Sequence, residues 1–341
     1  MNAFYTLFLV LALMLIAIFG VGAAHLDGLF GVWIPYAAVV VFIGGFCWRV
    51  YKWATIPVPF RIPTTAGQQK SFDWIEHNPI DNPSTTRGTW LRMMGEVFLF
   101  RTLFRNTYTK LYYEPGQEPK VAYFSQKWLW LFAILFHYSF LIIAFRHLRF
   151  FTDPVPFLVN AMEQLDGIVE MFQPNFYVTD ALIVLGVGYL FVRRLMRAQM
   201  RYLSLAADFF PLFLILGIAL SGIYMRYIDR VDVASIKQLT MGLATFRPVV
   251  PEGIALSFYV HLFLVCTLLF YFPFSKLMHM GGIFLSPTRN MANNTRFVHH
   301  ENPWNPRIPP HSYAAYEDDF REPMAEAGLP LEKPLEQGAG E

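Results

Sequence analysis

Residues 127–147 read KWLWLFAILFHYSFLIIAFRH, a run without a single carboxylate between its basic ends. At about 1.5 Å per residue, a helix of this length crosses a hydrocarbon core of about 30 Å. Within the run stand His137 and His147, ten residues apart. A second apolar run, roughly 254 to 276, carries His261, and His279 follows just past its end, eighteen residues on. Ionisable side chains are costly at membrane depth, so those that persist there mark function.

If the two segments pack antiparallel, His137 falls opposite His279 and His147 opposite His261. Haem iron takes an imidazole on each axial face, so two facing pairs suit two haem b groups stacked across the membrane. The metal ligands expected are therefore His137, His147, His261 and His279. The two ladders differ in length: ten helical residues rise about 15 Å and eighteen about 27 Å. Tilt and a kink at Pro273 are expected to absorb the difference. A step of eighteen returns to the same helix face, whereas a step of ten lands about 80° away. Each histidine also has a plain explanation, as a hydrogen-bonded core group or, for His147 and His279, as a residue at headgroup level. His25, His77, His299, His300 and His311 lie in loops or the tail and are read as non-ligands.

The rest of the chain agrees with a membrane protein. Of its 341 residues 55% are hydrophobic and 15% charged, which is unlike a soluble domain. Six segments approach spanning length: roughly 4–24, 32–52, 128–148, 176–195, 206–226 and 254–276. The expected fold is an all-α integral membrane bundle of about six transmembrane helices with a cytoplasmic insertion and a C-terminal tail. Residues 1–54 supply two N-terminal helices and 55–126 a cytoplasmic insertion. Residues 127–285 supply a four-helix dihaem module and 286–341 a cytoplasmic tail. No Lys or Arg precedes the first run, so it is read as a retained helix rather than a cleaved signal.

Arg49, Lys52, Arg61 and Lys70 follow the second run. Lys110, Lys120 and Lys127 precede the third, and Arg193, Arg194, Arg197 and Arg201 follow the fourth. The positive-inside rule puts these flanks in the cytoplasm, and six spans then leave both termini there. Arg230, Lys237 and Arg247 in the 227–253 loop run against that bias. The net charge of +2 gives no ground for a nucleic-acid partner. Cys47 and Cys266, the two cysteines of the chain, cannot hold an iron–sulfur cluster, so any such cluster belongs to another subunit. Arg146, Arg149, Arg226 and Lys276 near helix ends suit haem propionates or simple anchoring equally well.

Prolines 57, 59 and 63 mark departure from the membrane after the second run. Residues 84–105 interleave Trp90, Leu91, Met94, Val97 and Phe98 with Arg87, Arg92, Glu96 and Arg101. This pattern reads as an amphipathic helix on the membrane surface, under a partner, or against the chain's own helices. The tail is too polar for a core of its own; docking is expected for 286–311 and disorder beyond about 325.

The ten- and eighteen-residue histidine spacings, within residues 125–285, resemble the respiratory nitrate reductase gamma subunit family. The stretches Arg61–Ser71, Ser286–Asn290 and Asn302–Asn305 look like the M-subunit family of the Dsr MKJOP membrane complexes of sulfate-reducing and sulfur-oxidising prokaryotes. The resemblance implies a multi-pass protein of a prokaryotic cytoplasmic membrane. In it menaquinol gives electrons to two b haems held by His137, His147, His261 and His279. The implied partners are an iron–sulfur subunit like the catalytic part of heterodisulfide reductase, DsrK-like, and the J, O and P subunits. The implied final acceptor is the trisulfide form of DsrC. The chain would then be the quinol-oxidising electron-transfer subunit, with terminal catalysis on its partner. The extra N-terminal helix and the 55–126 insertion depart from the nitrate reductase pattern, so the quinone pocket is placed by position alone, near His147, Arg149 and Asp153.

Other readings are a membrane heterodisulfide reductase subunit, or a related quinone-linked complex, and a proton channel or transporter. Asp180 and Asp208 sit near helix starts rather than at mid-membrane, which disfavours the last. A zinc hydrolase is disfavoured by the lack of a short-spaced His–Glu motif.

Overall fold

A computed structural model describes residues 2–58, 68–167, 176–302 and 310–334. Pro59, Arg61, Pro63, Pro303, Trp304 and Asn305 lie outside the described residues, as does the chain beyond 334.

Helix α1 (Asn2–Gly22) is apolar throughout and ends before a turn through His25, at φ 51°. A π-helical turn, Leu29–Trp33, leads into α2 (Ile34–Ala54). Then comes α3 (Thr86–Leu99), capped by Thr85, whose hydroxyl accepts from the Gly88 N–H at 3.2 Å. The single helix expected over 84–105 is broken at Phe100, at φ 49°, and resumes as the short α4 (Arg101–Phe104). A hairpin that the sequence reading did not anticipate follows: β1 (Thr107–Tyr112) pairs antiparallel with β2 (Lys120–Ser125), Thr107 opposite Ser125. Its alternating Tyr, Thr and Lys suit a pleated, half-exposed ribbon.

The remaining helices are α5 (Lys127–His147), α6 (Phe157–Asp166), α7 (Val178–Met196), α8 (Ala198–Leu203) and α9 (Ala206–Tyr224). They continue with α10 (Val233–Ala244), α11 (Leu256–Tyr271), α12 (His279–Leu285), α13 (Pro287–Asn290) and α14 (Tyr313–Glu326). Among the described residues, five helical runs are long and apolar enough to cross a membrane: Asn2–Gly22, Leu29–Ala54, Lys127–Phe150, Ala206–Asp229 and Leu256–Phe274. The sixth expected span is α7, whose Asp180, Arg193 and Arg194 make it less apolar than the others. It nevertheless runs along α5 on one side and α9 on the other. Gly186 permits that approach, since a Cβ there would stand 2.9 Å from Phe136 Cβ and 3.0 Å from its Cα.

The helices form a chain of neighbours: α5 on α7, α7 on α9, α9 on α11, with α1 seated against α9 and α11, and α2 outside α11. One core joins α1, α7, α9 and α11 through Val10, Ile183, Val187, Leu214 and Leu264. A second joins α1, the π turn, α10 and α11 through Ala17, Phe30, Leu239 and Tyr259. Pro211 lies within α9 and has no N–H to offer the Ala207 carbonyl; the Tyr271 hydroxyl of α11 donates to that carbonyl instead, at 3.3 Å.

The tail after α12 packs on the insertion. Helix α13 rests on α3, the Asn293 N–H donates to the Pro83 carbonyl at 2.7 Å, and the Asn293 amide donates to Asn82 Oδ1 at 2.7 Å. Further on, Asn302 Oδ1 accepts from the Val58 N–H at 2.7 Å. Against the expectation of disorder beyond about 325, residues 327–334 fold back on α14, where Glu317 accepts from the N–H groups of Glu332 and Lys333 at 2.7 and 2.8 Å.

Candidate functional site

Helices α5 and α11 share no continuous packing seam, and α7 and α9 close the arc behind them. Across that opening the four histidines stand in two pairs. His137 faces His279 with ring centroids 6.0 Å apart and planes at 85°. His147 faces His261 at 6.3 Å, with planes at 15°.

The unequal ladders are reconciled by more than the kink expected at Pro273. Helix α11 stops at Tyr271, tightens into a 3-10 turn over Phe272–Phe274, and passes through an extended Ser275 (φ −117°, ψ 176°). A second 3-10 turn, Lys276–Met278, then delivers His279 as the first residue of α12. Gly45 of α2 closes against this break, where an added Cβ would come within 2.7 Å of Pro273 Cβ.

Every imidazole is anchored through Nδ1. His137 Nδ1 bonds the Ala133 carbonyl at 2.7 Å, His147 Nδ1 the Ile143 carbonyl at 2.7 Å, and His279 Nδ1 the Lys276 carbonyl at 2.9 Å. A carbonyl only accepts, so Nδ1 carries the proton in these three rings and Nε2 keeps its lone pair. His261 Nδ1 lies 2.9 Å from Ser221 Oγ, which itself donates to the Ile218 carbonyl at 3.0 Å, leading to the same tautomer. Gly222 leaves room for this ring: a Cβ there would stand 3.3 Å from His261 Cε1. Among the described residues none of the four Nε2 atoms has a hydrogen-bond partner.

Two imidazoles bound to one metal at about 2 Å each put their ring centroids about 6 to 6.5 Å apart. Both pairs have that spacing. No group of three or more His, Cys, Asp or Glu suited to a metal occurs among the described residues. Two histidines per site would suit a metal whose remaining ligands belong to a bound cofactor. Around the first pair, Phe100 lies edge-on to His137 at 5.0 Å; beside the second, Phe150 is 5.8 Å from His147.

At the His147 end a polar cluster is assembled that the sequence reading saw only in part. Arg146 is buried between Asp166 at 3.1 Å and Asp180 at 3.3 Å. Asp180 also accepts from the Tyr227 hydroxyl at 2.9 Å, and Asp166 from the Thr179 N–H and hydroxyl at 2.9 and 2.6 Å. The Tyr177 ring is sandwiched by the guanidiniums of Arg146 and Arg226, at 3.7 and 3.8 Å. Its hydroxyl donates to Glu163 at 2.6 Å, and Glu163 is ion-paired with Arg149. Asp153 is not part of this group; it is exposed and lies 3.6 Å from Lys237. Lys276 pairs with Asp208 at 2.6 Å, within the first turn of α9. The residues of this cluster that the sequence did not reveal are Glu163, Asp166, Tyr177, Thr179 and Tyr227. The available signal was an arginine closing one apolar run and an aspartate opening the next, each costly unless paired. Of the other histidines, His300 bonds Asn302 at 3.2 Å and His311 lies 3.5 Å from Asp319, both in the tail.

The chain is 45% identical over 285 residues to an Hdr-like menaquinol oxidoreductase cytochrome b-like subunit of Archaeoglobus fulgidus, covering 82% of this chain and 84% of that protein. With the corresponding subunit of Archaeoglobus profundus the identity is 41%, covering 81% and 83%. The sequence pattern of the nitrate reductase gamma subunit matches residues 93–298, a stretch that holds all four paired histidines together with the second half of α3 and the hairpin. With that match and those relatives, the chain belongs to the nitrate reductase gamma subunit family.

Proposed function

We propose that this protein is a dihaem cytochrome b subunit that passes electrons from menaquinol to a partner subunit across the membrane. The observation that carries the proposal is the two imidazole pairs, each at a metal-spanning distance with Nδ1 tied off and Nε2 free. His137 and His279 would hold one haem b, His147 and His261 the other. When bound, each haem supplies a one-electron redox couple. The chain's own contribution is to fix the rings, through backbone carbonyls and Ser221, and to keep water away with α7 and α9 packed behind.

Arg149 stands two residues past His147, and with Glu163 and Tyr177 it forms the polar group beside the second pair. We place the menaquinol site there, with Arg149 orienting the quinol oxygen and Glu163 positioned to receive a proton. Menaquinol analogue added to the purified protein should reduce its haem, and Arg149→Ala should slow that reduction by at least about tenfold. An unchanged rate would move the quinol site elsewhere.

The relatives are named as parts of Hdr-like menaquinol oxidoreductases, which supports an iron–sulfur, heterodisulfide-reductase-like partner as electron acceptor. The narrower placement in a Dsr MKJOP complex, with a DsrK-like partner, J, O and P subunits and DsrC trisulfide as final acceptor, is decided by which proteins co-purify. A heterodisulfide reductase partner without J, O and P would favour the related membrane complex. By the positive-inside rule both termini face the cytoplasm of a prokaryotic cell. Reporter fusions at the two ends should both report the cytoplasm; opposite results would leave α7 outside the bilayer.

A further inference from the structure

Helix α3 is inside out by the standard of a water-soluble helix. Its inward face carries Thr89, Arg92 and Glu96, at 7%, 5% and 6% exposure, along with Met93. Its outward face carries Trp90, Leu91, Met94 and Phe98, at 65%, 57%, 51% and 49%. These outward positions recur every three to four residues and form one continuous apolar stripe. On the polar face Glu96 is held from within the insertion: it accepts from the Thr102 hydroxyl and, at 3.3 Å, from the Thr102 N–H.

The C-terminal end of α3 is fastened to a membrane-spanning helix. Trp130 Nε1 donates to the Leu99 carbonyl at 2.8 Å, and the Tyr138 hydroxyl donates to the Phe98 carbonyl at 2.9 Å. Trp130 and Tyr138 lie three and eleven residues into α5, so this end of α3 reaches a level about 5 to 16 Å below the start of that span. The last carbonyls of a helix have no partners of their own. Within hydrocarbon such groups must be satisfied by protein, and two side chains of α5 do so. Phe100, in the left-handed region, then turns the chain over His137.

We infer that α3 is a lipid-embedded interfacial helix whose Trp90–Leu91–Met94–Phe98 stripe is covered by acyl chains. The helix enters from the headgroup side at Arg87 and ends against α5, at the Trp130 and Tyr138 hydrogen bonds. In this arrangement the insertion is moored to the bilayer at the point where it covers the His137–His279 pair.

The test uses the purified full-length protein in phospholipid nanodiscs, with Cys47→Ala and Cys266→Ala as background. Nitroxide labels are placed through Leu91→Cys and Met94→Cys, both exposed, so that the label displaces no packed side chain. Val40→Cys on α2, where the native side chain is 70% exposed, serves as the lipid reference. Gln117→Cys in the hairpin turn serves as the aqueous reference. By power saturation, the oxygen-to-nickel-chelate accessibility ratio at 91 and 94 should match that at 40 and exceed that at 117 several-fold. Ratios equal to that at 117 would mean a face open to water and available to a protein partner. Labels shielded from both reagents would mean a face buried by the chain itself. Either result overturns the inference. Should one labelled protein fail to fold, the other position gives the same reading.

Discussion

His137, His147 and His279 each spend their Nδ1 proton on a carbonyl three or four residues back in the chain, and His261 spends its own on Ser221. That His137 would stand opposite His279, and His147 opposite His261, was legible from the spacings of ten and eighteen residues on two apolar runs. The hydrogen bonds that set the tautomers were not, because they depend on where Ser221 of another helix arrives. The buried Arg146 was legible only as a basic group near a helix end, suited to a haem propionate or to simple anchoring. Its carboxylates come from α6 and α7, which no pattern local to α5 reveals. With its side chain 9% exposed between Asp166 and Asp180, Arg146 is needed to balance both charges. Arg146→Ala leaves two carboxylates without their cation, and unfolding in denaturing detergent should show a loss of about 3–5 kcal/mol. Unchanged stability would mean that Asp166 and Asp180 do not depend on the guanidinium.

At the scale of elements, the long apolar helices were the most legible, since length and the absence of charge suffice for them. The break after α11 was legible only as a kink at Pro273, because the extended Ser275 and the second 3-10 turn are fixed by packing against α2. The β1–β2 hairpin was missed among the polar residues of the insertion, where no hydrophobic period stands out. The helix at 313–326 was missed because Pro323 and a run of acidic residues argue against a stable element. Its device is local: Ser312 caps it, and Glu317 takes the N–H groups of Glu332 and then Lys333, which hold its carboxyl below the usual glutamate range. A group with a depressed folded pKa stabilises fully above its unfolded value, about 4.3, and loses that contribution as pH falls through the folded value. The protection factors of the Glu332 and Lys333 amides, taken against the intrinsic exchange rate at each pH, should therefore hold at neutral pH and fall in acid as the Glu317 carboxylate is protonated. Glu317→Gln should remove the pH dependence, and protection that persists unchanged in acid would contradict the assignment.

Across the whole molecule, the chain of helices α5–α7–α9–α11 leaves α5 and α11 apart and fills the opening with imidazoles, while α1, α2 and α3 flank that arc. The two imidazole pairs lie at different depths along one bundle, the His147 pair beside the buried arginine cluster and the His137 pair beside Phe100 of the insertion, as the proposed dihaem role requires. A proton channel would need titratable groups left open for transfer, whereas Asp180 is engaged by Arg146 and Tyr227. The decisive measurement is pyridine haemochrome quantification on the purified protein and on His137→Ala, His147→Ala, His261→Ala and His279→Ala. Two haems per chain are expected in the parent and one in each variant, with His137→Ala matching His279→Ala and His147→Ala matching His261→Ala in the spectral component lost. A colourless parent, or variants that keep both haems, would contradict the account.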